Sequence, residues 1–161
     1  MTASIDTATP PVALRPAGAA DDAFLRELFV DSRPELRLLP AQLVDLQIAA
    51  QRTQYGRDHR EPVDELIEID GHPVGRCWTA VGAGELHLLD LAVRGDRRRQ
   101  GIGRVVLGVV ADRAAASGLA VRLSVWSANG DARRLYRAAG FTETGAGGGY
   151  IEMRLEPGGR P

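Results

Sequence analysis

Up to about residue 57 the apolar positions recur at helical spacing, and from Val63 onward they alternate, so a helical front gives way to a sheet-rich remainder. Val12 to Arg15 reads as a short opening strand. Ala19 to Phe29 predicts a first helix, with Asp21 and Asp22 in the first turn where carboxylates meet the positive end of the helix dipole. Pro34 breaks that pattern. A second helix is predicted from Pro40 to about Arg57, with proline tolerated at its start and Leu43, Leu46, Gln47 and Ala50 along one side. Val63–Asp70, Val74–Val81 and Glu85–Val93 then read as strands, the first two joined at Asp70-Gly71, a strong hairpin signal.

Beyond the third of these strands, Ile102, Val105, Val106, Val109 and Val110 form a continuous apolar stripe on a helix that ends near Gly118. Leu119 to Val125 alternates again, with Val121, Leu123 and Val125 set against Arg122 and Ser124. A strand reached through a crossover helix returns parallel to the one before it, here Glu85–Val93. Phe141–Thr144 and Tyr150–Leu155 complete the sheet across a run of glycines. The fold class is α+β, with a mixed, mostly antiparallel sheet of about six to seven strands and about four helices.

The 161 residues (17.3 kDa) suit one domain, expected over residues 12–155 between flexible tails at 1–11 and 156–161. A net charge of −1 and a pI of about 6.3 give no basic field for nucleic acid or an anionic membrane surface. No stretch approaches the roughly 18 consecutive apolar residues of a membrane span, and Met1–Pro11 lacks an export signal. Cys77 is the only cysteine, so no internal disulfide forms, and the expected location is the reducing cytoplasm.

The chemistry concentrates where the strand Glu85–Val93 runs through Arg94-Gly-Asp-Arg-Arg-Arg-Gln-Gly-Ile-Gly-Arg104 into the apolar-striped helix. A helix start presents unpaired N–H groups and a positive dipole end, a ready cradle for phosphate, and glycine lets the backbone come close to it. The dinucleotide pattern G-x-G-x-x-G fails because Val106 stands where its third glycine belongs. A Walker loop fails because it needs a lysine and all 20 basic residues are arginine. Arg98, Gly101 and Gly103 instead spell R-x-x-G-x-G, which resembles the pyrophosphate loop of the GNAT superfamily of N-acetyltransferases. The plain alternative is a glycine-rich turn with a solvated arginine cluster.

A second block, Asn129-Gly-Asp-Ala132-Arg-Arg-Leu135-Tyr136-Arg-Ala-Ala-Gly140-Phe141, resembles the other GNAT signature, N-x-x-A-x-x-L-Y-x-x-x-G-F, at every fixed position. Ala132, Leu135, Tyr136 and Ala139 share one helix face, Gly140 stands where a left-handed cap ends the helix, and Phe141 where the capping contact falls. By itself Tyr136 is a core tyrosine. With both blocks in order, the resemblance covers roughly Val12 to Leu155.

The resemblance implies a central parallel strand pair, Glu85–Val93 and Leu119–Val125, splayed at one end around acetyl-CoA as co-substrate, with no metal. It places the pantetheine on the backbone of Leu91, Ala92 and Val93, the pyrophosphate on Arg98, Arg99, Gln100, Gly101, Ile102, Gly103 and Arg104, and Asn129 on the pantetheine arm. Tyr136 becomes the proton donor to the sulfur, and a strand N–H near Leu91 the oxyanion donor. For the base that deprotonates the amine, Asp90 and His87 are the candidates, Asp90 because a carboxylate in an apolar run has a partner or a task. Gln47, Gln51, Arg52, Tyr55 and His59, with Trp78 from the sheet, are expected to line the acceptor pocket, an arginine beside an aromatic suiting a carboxylate-bearing or flat acceptor. A small-molecule amine is expected ahead of a protein amine, and homodimers are frequent in the family. The competing readings are a non-catalytic acyl-CoA-binding module of the same fold and a dinucleotide-binding oxidoreductase.

Overall fold

The computed structural model describes residues 11–159; the expected tail at 1–11 lies almost entirely outside the described residues, as do the last two positions of the tail at 156–161. Seven strands form one sheet: β1 (Val12–Pro16), β2 (Val63–Ile69), β3 (His72–Gly82), β4 (Glu85–Val93), β5 (Ala120–Trp126), β6 (Thr142–Gly147) and β7 (Tyr150–Leu155). Their spatial order is β1-β2-β3-β4-β5-β7-β6, and every neighbouring pair is antiparallel except β4–β5. Four helices complete the chain: α1 (Asp22–Asp31), α2 (Ala41–Asp58), α3 (Ile102–Ala116) and α4 (Gly130–Ala138). The Asp70-Gly71 turn has positive φ at both residues (51° and 75°), the backbone that a two-residue hairpin requires.

Alternation along the strands sorts the side chains into two faces. On one, Ile67, Cys77, Leu88, Val121, Leu123 and Met153 pack against Ile102, Val106 and Val110 of α3 and Tyr136 of α4 in the main core. On the other, α1, α2 and the 3₁₀ turn Pro34–Leu38 between them carry a small core of Phe29, Leu36 and Val44, and the sheet beneath them presents Asp64, Arg76, Trp78 and Asp90.

Two sequence expectations need correction. The first helix is split: Ala19–Asp21 forms a 3₁₀ turn, and Asp21 serves Arg15 (2.8 Å) and the Gly18 N–H (2.8 Å) rather than the helix dipole alone. The second helix is turned the other way. Leu43 and Leu46 are 45% and 65% exposed, Gln47 and Ala50 are exposed, and the inward row is Val44, Ile48, Gln51, Tyr55 and His59.

The position of the candidate site follows from register. β4 and β5 pair only over Glu85–Ala120, Leu86–Val121, His87–Arg122 and Leu88–Leu123. Past that rung β4 stays with β3 and β5 turns to β7, pairing with it as far as Trp126–Tyr150. Leu89–Val93 and Ser124–Trp126 therefore border an opening between two parallel strands.

Candidate active site

The β4 edge at the opening is set by a bulge. Trp78 pairs with Asp90 while Thr79 pairs with Leu88, so Leu89 is an extra residue and the strand re-aims beyond it. The Leu89 carbonyl is taken by the Tyr55 hydroxyl (3.1 Å). At the far end the Arg94 N–H bonds the Val74 carbonyl on β3 (2.9 Å), so the alternate residues Leu91 and Val93 turn their polar groups toward the opening. The Val93 carbonyl is already held by Arg98 Nε (2.9 Å). What is left is a short strand edge beyond the last β4–β5 rung, of the kind an extended amide chain fits as an added strand would.

The loop from β4 to α3 is built around Asp31 at the end of α1, which accepts from the Gly95 N–H (2.7 Å), Arg98 (3.3 Å) and Arg37 (3.3 Å). Arg98 is thus partly spent on shaping the loop, while Arg99, Gln100 and Arg104 project from it. Arg99 (φ 65°) and Gly101 (φ 79°) are left-handed, and Gly101 caps α3, whose first-turn N–H groups have no intrahelical acceptors. Such backbone forms an anion-binding concavity. Gly103 plays a different part from Gly101. A Cβ there would meet Leu135 Cδ2 at 3.0 Å, so its bareness lets α4 lie against α3.

α4 holds Tyr136 by both ends. Asn129 Oδ1 accepts the Ala132 N–H (3.1 Å) as N-cap, which leaves its amide nitrogen for any contact at the opening. At the other end Gly140 is left-handed (φ 89°), and the Phe141 N–H reaches back to the Tyr136 carbonyl (3.0 Å) while the two rings lie 5.8 Å apart. Tyr136 is 9% exposed, and its hydroxyl has no hydrogen-bond partner among the described residues. Burial, with the nearby Asp90 charge adding to it, raises its pKa well above the ordinary phenol value, so it is a neutral donor at neutral pH.

Asp90 stands beside the bulge on the face opposite Tyr136's core. Arg76 gives two nitrogens to Asp64 (2.7 Å each), stacks on Trp78 (3.9 Å), and reaches Asp90 only at 3.9 Å. Burial outweighs that arginine and pushes the Asp90 pKa up. His87 lies elsewhere: it is in the paired part of β4, within hydrogen-bond distance of the Gly82 carbonyl (3.1 Å), its ring 4.9 Å from His59.

Of the expected acceptor residues, the structure gathers Gln51, Tyr55 and Trp78; the Tyr55 and Trp78 rings meet edge to face at 4.9 Å. It does not gather Gln47, which is exposed, or Arg52, which is paired with Asp22 between α1 and α2 (2.9 Å). An arginine that carried no motif takes that place: Arg76, over the Trp78 ring at 3.9 Å, while Arg33 in the α1–α2 connection is stacked over Phe29 at 4.1 Å. An arginine inside the apolar run Val74–Val81 was a readable signal, because a buried charge requires a partner. Among the described residues no three His, Cys, Asp or Glu side chains gather to hold a metal ion, and no helix is long and apolar enough to cross a membrane.

A mixed sheet that parts after one parallel pair, with a glycine-opened helix at the gap, defines the class of acetyl-transferring folds that resemblance anticipated. The chain belongs to the GNAT acetyltransferase family, whose sequence model matches residues 23–141. No curated protein matches it in sequence. Among solved structures it is similar to the PaiA N-acetyltransferase of Thermoplasma acidophilum in complex with coenzyme A (TM-score 0.71, 15% identity, 91% of this chain and 99% of that one). It is likewise similar to the spermidine N-acetyltransferase of Vibrio cholerae in complex with CoA and spermine (0.69, 16%, 92% and 96%). A third is the ribosomal-protein-S18-alanine N-acetyltransferase of Escherichia coli (0.65, 21%, 91% and 94%). At these identities the likeness establishes the fold.

Proposed function

We propose that this protein is an acetyl-CoA-dependent N-acetyltransferase that acetylates a primary amine, a small molecule in preference to a protein, by direct attack. The observation that carries the reading is the end of β4–β5 pairing at Leu88–Leu123, with a coenzyme-type edge, an anion cradle and a buried phenol on one side and an ionisable carboxylate on the other. In this reading one domain, residues 12–155, does the work in the cytoplasm. Cys77, whose thiol burial pushes up to about 12, stays an inert core residue there.

Acetyl-CoA supplies an activated thioester: a nitrogen–carbon bond forms at its carbonyl as the carbon–sulfur bond breaks. The backbone of Leu91, Ala92 and Val93 orients the pantetheine, and the loop from Arg98 to Arg104 holds the pyrophosphate. Asp90, directly or through water, takes the proton that the amine must lose. A strand N–H near Leu91 bonds the oxygen as its charge grows, and Tyr136 gives its phenolic proton to the leaving sulfur.

The test is thiol release from acetyl-CoA over a broad panel of amines, beside a calorimetric titration with acetyl-CoA. Turnover with tight coenzyme binding supports the reading. Binding without turnover by any amine marks a non-catalytic acyl-CoA-binding module, and no binding overturns both.

A further inference from the structure

The loop between β4 and α3 is exposed along its whole length from Arg94 to Gly101, so no buried side chain fixes its shape. Arg94, Arg97, Arg98 and Arg99 also repel one another in that short span. A carboxylate from outside the loop answers both problems. Asp31, the last residue of α1, divides its two oxygens between two neighbours. Oδ2 accepts from the Gly95 N–H (2.7 Å) and from Arg98 Nη2 (3.3 Å), both in the loop. Oδ1 accepts from Arg37 Nη2 (3.3 Å), in the 3₁₀ turn Pro34–Leu38. Gly95 suits this contact, because a Cβ there would come within 3.3 and 3.4 Å of the two carboxylate oxygens. Arg98 is fixed at a second point by the Val93 carbonyl (2.9 Å), so Asp31 sets both where the loop leaves β4 and where that guanidinium points. A further tie from outside, Arg99 with Asp131 of α4 at 3.6 Å, joins side chains that are 81% and 71% exposed, a pair worth little. The Asp31 side chain is 31% exposed, and its bonds to Arg98 and Arg37 are charge-assisted.

We propose that Asp31 is a positioning residue for the coenzyme: through Oδ2 it holds the segment Gly95–Arg98 in the shape that presents the loop to the pyrophosphate, without touching the ligand itself. The inference rests on the acetyl-CoA reading above and adds a residue that neither signature block contains. Charge and positioning predict effects of opposite sign. A carboxylate beside an anion site opposes the anion, so if Asp31 acted only through its charge, removing it would tighten coenzyme binding. If it acts by holding the loop, removing it weakens binding, because a loop left free must be ordered when the pyrophosphate arrives.

The experiment titrates CoA calorimetrically into the full-length protein and its variants, with a thermal melt of each without ligand to show that it is folded. Asp31→Ala is expected to weaken CoA binding by about tenfold or more. Asp31→Asn should bind more tightly than Asp31→Ala, since an amide can turn its oxygen to the Gly95 N–H and Arg98. Gly95→Ala leaves Asp31 in place but presses a methyl group against its carboxylate, so it should lose affinity in the same way, and it serves as the test if Asp31→Ala does not fold. In the double variant the two losses should not add, because both act on one contact. Arg37→Ala removes only the partner of Oδ1 and should bind CoA as the parent does. The proposal is overturned if Asp31→Ala binds CoA as tightly as the parent or more tightly, if Gly95→Ala keeps the parent's affinity, or if Asp31→Asn binds no better than Asp31→Ala. It is overturned equally if Arg37→Ala loses as much as Asp31→Ala, which would make the carboxylate a general brace of α1. In each of these cases the coenzyme reading stands on the parent's own titration; failure of the parent to bind CoA sinks that reading, and this proposal with it.

Discussion

Leu88 and Leu123 form the last rung that β4 and β5 share, and one residue later the bulge at Leu89 turns β4 so that Asp90, not its neighbours, faces α2. Parting and bulge together leave a strand edge open to an extended ligand on one side while holding a carboxylate against it on the other. The proposed chemistry depends on a place where regular pairing stops.

Tyr136→Phe separates chemistry from packing. The variant keeps the ring against Phe141 and removes a hydroxyl that has no hydrogen-bond partner among the described residues, so the melting temperature should be unchanged or slightly higher. Turnover should fall by about 10² to 10⁴-fold with KM for acetyl-CoA little altered. Steady-state kinetics beside a thermal melt decide it, and an unchanged kcat with chemistry rate-limiting would return Tyr136 to the core alone.

The two glycines of the loop should fail differently. Gly101→Ala forces a side chain into left-handed backbone at the mouth of the cradle, a strain of about 1–2 kcal/mol that should appear chiefly as weaker acetyl-CoA binding. Gly103→Val instead drives a branched side chain into Leu135 and displaces α4, and Tyr136 with it, so stability and kcat should both suffer. Calorimetry and melting curves on the pair would show the contrast; matching losses in coenzyme affinity alone would mean that both glycines face the ligand.

The loop and α4 were legible because their signals are local: glycines at left-handed positions, a helix stripe, and a cap whose Gly140 and Phe141 fall at fixed offsets. The face of α2 was not legible by apolar spacing. Its inward row, Val44, Ile48, Gln51, Tyr55 and His59, is more than half polar because it covers a polar site, and Leu43 and Leu46 on the outside draw the period to the wrong side. Arg33 sits in a connection with no periodicity to read. The bulge had left a trace, however: Leu86 and Leu88, then Leu91 and Val93, pack on one face, and the step of three in the middle is one residue too long for a regular strand.

Gly75 should tolerate no side chain. A Cβ there would collide with the Ala92 carbonyl and come within 2.9 Å of Ile67 Cδ1, and Ala92 belongs to the backbone row proposed to hold the pantetheine. Gly75→Ala is expected to destabilise the fold by about 1–3 kcal/mol and to lower acetyl-CoA affinity as the β4 edge shifts. Denaturant unfolding with and without acetyl-CoA measures both; a variant as stable and as tightly binding as the parent would show that β3 and β4 part easily at this point.

Asp90→Asn should trade activity for stability, with a pH dependence whose sign follows from burial. Because burial raises the Asp90 pKa, the folded protein holds that proton more firmly than the unfolded chain does. The associated stability is full below the ordinary carboxylate pKa of about 4 and is lost as pH rises through the raised value. An asparagine has no charge to desolvate. The variant should therefore melt higher than the parent at pH 8, and the gap should close as pH falls toward 4. Over the same range kcat/KM should drop and its acidic limb should vanish. His87→Ala should keep that limb, since its ring lies in the paired part of β4 beside the Gly82 carbonyl. A limb lost in His87→Ala and kept in Asp90→Asn would move the base to the histidine, and a melting gap that does not vary with pH would mean that Asp90 is ionised in the folded protein without strain.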